Sequence, residues 1–279
     1  MSRALKGGIF KALLLFSLAV GFLMLGTLLV DVLRDGLPYL DWKLISNVPS
    51  SSPEDAGARP AILATIYMAG LLLLLAVPVG VGTAIYLEEY AKKTRWYNRL
   101  LEVNIQNLAA VPSIVYGILG LAFLVRGAGL GRVLLAGAMI LTLLVLPTVI
   151  IAAREAIRAV PDSIRQGGYA LGATQWQVGS RQVLPAAIPG IATGSILALS
   201  RAIGETAPLI MIGAVTYIAF DPTLLGPFTA LPIQIYSWVG LPADEFRFLA
   251  AAAIVVLLGI LLVMNALAIW LRNHYRRSW

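Results

Sequence analysis

Six stretches of this chain are apolar over lengths close to the ~20 residues needed to cross ~30 Å of hydrocarbon, and no other feature constrains the fold as strongly. They cover about 8–30, 61–87, 105–125, 133–153, 188–220 and 248–271. Charged residues make up 13% of the 279, roughly half the ~25% of a soluble domain, so a water-facing core is excluded. The reading is an all-α integral membrane chain, one transmembrane domain over 1–279, with no soluble domain and no internal repeat. Arg3, Lys6 and Lys11 stand at the first span as they would in a signal peptide. Its apolar core, 12–30, exceeds the roughly 7–15 residues of a signal sequence, and five spans follow, so it reads as a retained helix.

The net charge is +7, but the basic residues sit in short segments between spans rather than in a stripe with interleaved aromatics. Nucleic-acid binding is excluded on that ground. Counting Lys and Arg with the N-terminus inside gives fourteen on the inner side: three near the N-terminus, then Lys92, Lys93, Arg95 and Arg99, then Arg154, Arg158, Arg165 and Arg181, then Arg272, Arg276 and Arg277. Six fall outside (Arg34, Lys43, Arg59, Arg126, Arg132 and Arg247) and Arg201 lies within a span. That asymmetry predicts two cytoplasmic termini. The polar, turn-rich 31–60 is then an outer surface loop. Cysteine is absent, which removes disulfides and thiolate metal sites, and His274 stands among arginines in a polar tail without metal-ligating neighbours. No catalytic residue, metal site or cofactor is expected. Gly127-Ala-Gly-Leu-Gly131 imitates a phosphate loop but has neither the preceding strand nor the lysine, and no G-x-x-x-x-G-K-[ST] occurs elsewhere.

The longest inner loop, 154–187, is also the most patterned. Pro161-Asp162-Ser163 breaks the chain, and Asp162 or Ser163 is the expected cap of a short helix. Apolar Ile164, Tyr169, Leu171, Ala173 and Trp176 alternate with polar residues as in short helices lying on a membrane surface. Gly167, Gly168 and Gly172 remove side chains where another backbone can approach. Leu184-Pro185 and Ile188-Pro189 mark the return to the bilayer. On pattern alone, an interfacial connector and a docking surface for a cytoplasmic partner both fit.

Two charges, Arg201 and Glu205, interrupt the fifth span. A charge at mid-bilayer costs about 3 kcal/mol on insertion scales, so both are expected to face protein or water. Four residues apart they share a helical face, with Gly190, Gly194 and Ala198 nearby on it, and this face is expected to line a subunit interface or a central cavity. Arg before Glu is the poorer order for an intrahelical pair, which points to partners on other helices. Pro208 leaves the Gly204 carbonyl without its helical donor, and a span of ~33 residues is too long for one straight helix, so a break is expected at Gly204–Pro208. A structural bridge and part of an anion pathway are the two roles open to the pair.

In the 154–187 loop, Gly172, nine further residues, one pair and then Leu184-Pro185 resemble the loop of importer-type ABC permeases. That resemblance implies that Gln166, Gly167, Gly168, Ala170, Leu171, Gly172, Ala173, Leu184 and Pro185 couple to an ATPase subunit. Two departures stand out: the family's Glu-Ala-Ala falls on Gln166-Gly167-Gly168, and its aliphatic position before Leu-Pro falls on Gln182. More specifically, Ser200-Arg-Ala-Ile-Gly-Glu-Thr-Ala-Pro-Leu209 resembles the A-type permease of the bacterial phosphate-specific (Pst) importer. So do Ala84–Tyr90, Asn107–Gly117, Leu231–Tyr236 and Leu267–Asn273, so the likeness runs over nearly the whole chain. The resemblance implies a multi-pass bacterial inner-membrane subunit of a phosphate importer, with Arg201 and Glu205 in the translocation pathway and ATP hydrolysis on a separate subunit. Its implied partners are a sibling C-type permease, an ATPase dimer, a periplasmic phosphate-binding protein and membrane lipid. Competing readings are the C-type sibling, a permease for sulfate or molybdate, a secondary transporter or channel, and a membrane scaffold. Ala207-Pro208-Leu209 favours the A-type, and the single evident helix break argues against a secondary transporter built from paired broken helices.

Overall fold

The computed structural model describes residues 3–92 and 94–274; Lys93 and the tail arginines Arg276 and Arg277 lie outside the described residues. The described residues form helices and the loops between them, without a strand. Five helices are long and apolar enough to cross a membrane: Gly7–Tyr39, Arg59–Tyr90, Leu134–Arg158, Gln175–Ile203 and Asp244–Trp270. A sixth crossing exists if two helices joined by a 105° bend count as one, Trp96–Ala109 with Ser113–Gly127. In chain order the α-helices are α1 (Arg3–Gly36), α2 (Trp42–Ser46), α3 (Arg59–Ile85), α4 (Trp96–Ala109), α5 (Ser113–Gly120), α6 (Leu134–Arg158), α7 (Asp162–Ala170), α8 (Gln175–Val178), α9 (Leu184–Ile203), α10 (Ala207–Met211), α11 (Leu231–Val239) and α12 (Asp244–His274).

Three expectations need correction. The apolar run 105–125 is not one straight span: α4 stops at Ala109 and α5 starts at Ser113. Pro112 between them lacks an N–H and pushes Val111 out of the helical region, so the chain turns there despite its hydropathy. The fifth span begins earlier than expected. Gln175 to Ile203 is one continuous helical run, with a π-helical turn over Gly179–Val183, and Leu184-Pro185 and Ile188-Pro189 lie inside it. A π adjustment of this kind lets a membrane helix accommodate prolines without stopping. The same span also ends earlier, because helix gives way at Gly204 and residues 212–230 are largely irregular.

The bundle is centred on α6, which packs against both α3 and α9. The contact with α9 is made by small residues on both sides. A Cβ on Gly190 would lie 2.8 Å from the Cβ of Ala156, and one on Gly194 would lie 2.5 Å from that of Ala152. Two glycines four residues apart on α9 and two alanines four apart on α6 thus let the two backbones close up. Of this face, expected to line a subunit interface or a cavity, Gly190 and Gly194 pack on α6 within the chain, while Ala198 borders a cavity. Helix α1 packs along α12 and is otherwise exposed along its apolar length. On the other side of the bundle, buried Thr65 of α3 accepts a hydrogen bond from the Leu231 N–H at the start of α11 (2.9 Å).

Candidate functional site

In the fifth span, α9 ends at Ile203 with Gly204 as its cap, and α10 begins at Ala207. The Arg201 and Ala202 carbonyls accept from the N–H groups of Gly204 (3.2 Å) and Glu205 (3.1 Å), closing the end of α9 with tight turns. Residues 205 and 206 leave the helix, and α10 restarts at Ala207 with Pro208 in its first turn, where a missing N–H does no harm. Arg201 therefore occupies the last turn of α9, a favourable end of the helix dipole for a cation.

The elbow between α4 and α5 packs against this break. A Cβ on Gly117 would lie 2.8 Å from the Cα of Pro208 and 2.8 Å from the Cβ of Met211, so only a glycine lets α5 close on α10. The Tyr116 hydroxyl donates to the Leu108 carbonyl at 2.9 Å, bracing the elbow across its bend. Between elbow and break lies a cavity of about 240 Å³ bordered by Pro112, Tyr116, Thr148 of α6, Arg201 and Glu205. The small-residue contact of α6 and α9 at Ala152 and Gly194 lies four residues along each helix from Thr148 and Ala198, which line the cavity. A second helix break thus faces the first, where the sequence had offered one.

Arg201 and Glu205 approach to 3.9 Å, with the arginine side chain 81% exposed and the glutamate 23%. That is a loose pair at the limit of an ion contact. Among the described residues no carboxylate other than Glu205 pairs with this guanidinium. Its planar fork of donors is consequently open to a bidentate oxyanion.

The 154–187 segment forms a compact projection. Helix α7 ends at Ala170, and the turn after it is made at Gly172, whose φ of +78° is a conformation glycine adopts without strain. Helix α8 begins with a capping box, in which Thr174 Oγ1 accepts from the Gln177 N–H (3.3 Å) and Gln177 Oε1 from the Thr174 N–H (2.8 Å). The expected cap of α7 is not formed. Pro161 holds the cap position, and the Asp162 carboxylate turns to Arg165 at 3.2 Å. The three glycines have separate roles: a Cβ on Gly168 would meet Val178 and Gln182 at 2.8 Å, Gly167 has open space, and Gly172 makes the turn. Gln182, one of the two departures from the family pattern, thus packs on Gly168, part of the other. At the tip Leu171 is 88% exposed, flanked by exposed Ala170, Tyr169 and Trp176, while Gln166 is exposed and Ala173, Leu184 and Pro185 are half-buried.

Sequence reasoning missed a set of ion pairs at the base of this projection. Glu88 Oε1 accepts from Arg154 Nε and Arg158 Nη2, both at 2.7 Å; Glu89 Oε1 accepts from Arg165 Nη2 at 2.9 Å; Arg154 Nη2 also reaches Glu102 Oε1 at 2.5 Å. The signal available for it was two glutamates ending one apolar run and two arginines ending another on the same predicted side.

Residues 76–277 match the model of a family described as binding-protein-dependent transport system inner membrane component. The phosphate transport system permease protein PstA 1 of Mycobacterium tuberculosis (strain CDC 1551 / Oshkosh) is 35% identical over 217 residues, covering 77% of this chain and 70% of that protein. PstA of Xylella fastidiosa (strain Temecula1) is 30% identical over 244 residues, 87% of this chain and 84% of that one. Among solved structures, a chain of the MetNI methionine ABC transporter in an inward-facing conformation superposes with a TM-score of 0.64 at 17% identity, covering 78% of this chain and 95% of its own. A chain of a bacterial ABC transporter that imports alginate superposes at 0.63 and 18% identity, covering 99% and 100%. These two likenesses establish the ABC importer permease fold.

Proposed function

This chain belongs to the family of binding-protein-dependent transport system inner membrane components and is a multi-pass membrane protein, and on that premise we propose that it is the permease subunit of an ATP-driven importer of inorganic phosphate. The observation that carries the substrate is the Arg201 fork, open to a cavity bordered by two helix breaks, in a chain similar along most of its length to phosphate permeases. Phosphate is anionic at neutral pH, and taking it through a low-dielectric region without compensating charge is prohibitive. Arg201 supplies that charge in a bidentate geometry, and Glu205 keeps the empty site near neutrality and loosely holds the fork between transport events. A sibling permease brings an equivalent pair across the pseudo-twofold axis and completes the pathway.

ATP hydrolysis belongs to a separate ATPase dimer seated on the 154–187 projection, whose exposed Leu171 and Trp176 form an apolar tip suited to a groove. The excess of basic residues supports a cytoplasmic position for that projection and both termini, with the loops at 37–58 and 212–230 on the opposite side, where a phosphate-binding protein docks, and the likeness to PstA proteins supports a bacterial inner membrane. The test is phosphate uptake and pull-down in a host stripped of its own phosphate importers. Co-expression with the sibling and ATPase subunits is expected to restore uptake of labelled phosphate that sulfate and molybdate do not compete for, and to recover the ATPase with this chain. Uptake competed by sulfate, or uptake without any ATPase, overturns the reading.

A further inference from the structure

We propose that Glu88 and Glu89 are positioning residues that fasten the ATPase-docking projection to α3 and, through Arg154, to α4, so that movement of the projection reaches the cavity by a route besides α9. The inference rests on the reading that 154–187 docks an ATPase. Covalently, the projection continues only into α6 and α9. The ion pairs add two further elements, α3 from a single turn of chain and α4 through Arg154.

That turn is Tyr86–Tyr90, a π-helical end to α3. Such turns insert an extra residue per turn and occur disproportionately at functional sites. Here the consecutive glutamates both lie inside protein, Glu88 7% and Glu89 6% exposed, yet serve different helices. Glu88 takes Arg154 and Arg158 from the last two turns of α6. Glu89 takes Arg165 from α7, and its backbone carbonyl accepts from the Gln175 side chain at the start of α8. Arg165 also donates to the carbonyls of Ile157 (3.0 Å) and Val160 (2.7 Å), locking α7 onto the end of α6. The entering edge of the projection, its first helix and the start of α8 are thus all fixed to one turn of α3.

Arg154 extends the link. Its second bond, to Glu102, reaches the middle of α4. The far end of α4, Leu108 and Ala109, borders the Arg201 cavity, and Tyr116 is bonded to Leu108 there. A displacement of α7 is therefore carried through Arg165 and Glu89 to α3, and through Arg154 and Glu102 to the elbow. Stability alone is a poor reason for this arrangement. Replacing a buried ion pair with apolar residues is often neutral or stabilising, whereas such pairs do fix which element sits against which.

The experiment uses the complete transporter in liposomes, with phosphate delivered and ATP hydrolysed measured together. The parent complex is assayed first: if it binds no ATPase or moves no phosphate, the docking reading fails, irrespective of Glu88 and Glu89. The test variants are Glu89→Gln and the double variant Glu89→Leu plus Arg165→Leu, the latter leaving no unpaired buried charge. Both are expected to hold the ATPase and hydrolyse ATP near the parent rate, while phosphate moved per ATP falls about tenfold, the size of a typical coupling energy between sites. A merely structural pair predicts that hydrolysis and transport fall together with the amount of assembled complex. An unchanged phosphate-to-ATP ratio in the double variant, or its failure to assemble, overturns the proposal.

Discussion

Gly117 and Pro208 hold the two helix breaks together: a Cβ on the glycine would lie 2.8 Å from the Cα of the proline. One residue belongs to the helix after the elbow and the other to the short helix after the end of α9, so their contact fixes the wall of the cavity. Overpacking at such a contact typically costs about 1–3 kcal/mol. Gly117→Val is expected to lower the melting temperature of the purified complex and to cut phosphate uptake more than it cuts assembly. A melting curve beside labelled-phosphate uptake checks this; unchanged values for both show that the contact is slack.

How much of this was legible beforehand follows from the range of each signal. Length and hydropathy decide a membrane span locally, so the second, fourth and sixth spans, 61–87, 133–153 and 248–271, lie close to the helices Arg59–Tyr90, Leu134–Arg158 and Asp244–Trp270. The third span escaped because its apolar character runs unbroken across Pro112, and a hydropathy window averages over a turn. Gly204 and Pro208 announced the other break because both signals sit beside two charges that already demanded attention. The extended α8–α9 run was hidden by Pro185 and Pro189, which read as the return to the bilayer and so as the start of the span, whereas the π-helical turn carries the helix on from before them. Arg154, Arg158 and Arg165 were counted as cytoplasmic anchors, yet their carboxylate partners Glu88, Glu89 and Glu102 lie 52 to 76 residues away, and nothing local pairs residues at that separation.

Gly172 and Gly167 separate conformation from docking. Gly172 needs φ of +78°, so Gly172→Ala is expected to strain the turn by about 1–2 kcal/mol, while Gly172→Asn, which tolerates the left-handed region, is largely spared. At Gly167 a new side chain meets open space. Gly167→Trp is therefore expected to insert and fold normally but to lose ATPase association. Pull-down of the ATPase with the detergent-purified variant decides it, and normal recovery marks the projection as a plain connector on that face.

The chain has no cysteine, so single cysteines report its orientation without background. Ser51 and Gln166 are both exposed, one in the loop after α2 and one on α7. With intact spheroplasts and a membrane-impermeant maleimide, Ser51→Cys is expected to label and Gln166→Cys to remain protected until the membrane is opened. The reverse pattern inverts the topology and removes the projection from any cytoplasmic ATPase.

Arg201 allows the sharpest separation of a pathway charge from a structural one. A structural ion pair is close and well buried, and replacing both partners by apolar residues is often tolerated. This pair is open at 3.9 Å, and the arginine side chain is 81% exposed to its surroundings, so little stability depends on it. Folding and assembly should accordingly survive both Arg201→Gln and the Arg201→Leu plus Glu205→Leu double variant. Transport should not. Without the guanidinium, phosphate meets the low-dielectric stretch with no compensating cation. Losing a charge-assisted bidentate contact of roughly 3 kcal/mol corresponds to at least about a hundredfold loss of rate. Arg201→Lys keeps the charge but not the planar fork, and is expected to retain only a small fraction of uptake. The measurement is initial uptake of labelled phosphate, normalised to assembled complex. Robust uptake by the double variant at normal assembly assigns Arg201 to architecture and leaves the cavity without its ligand.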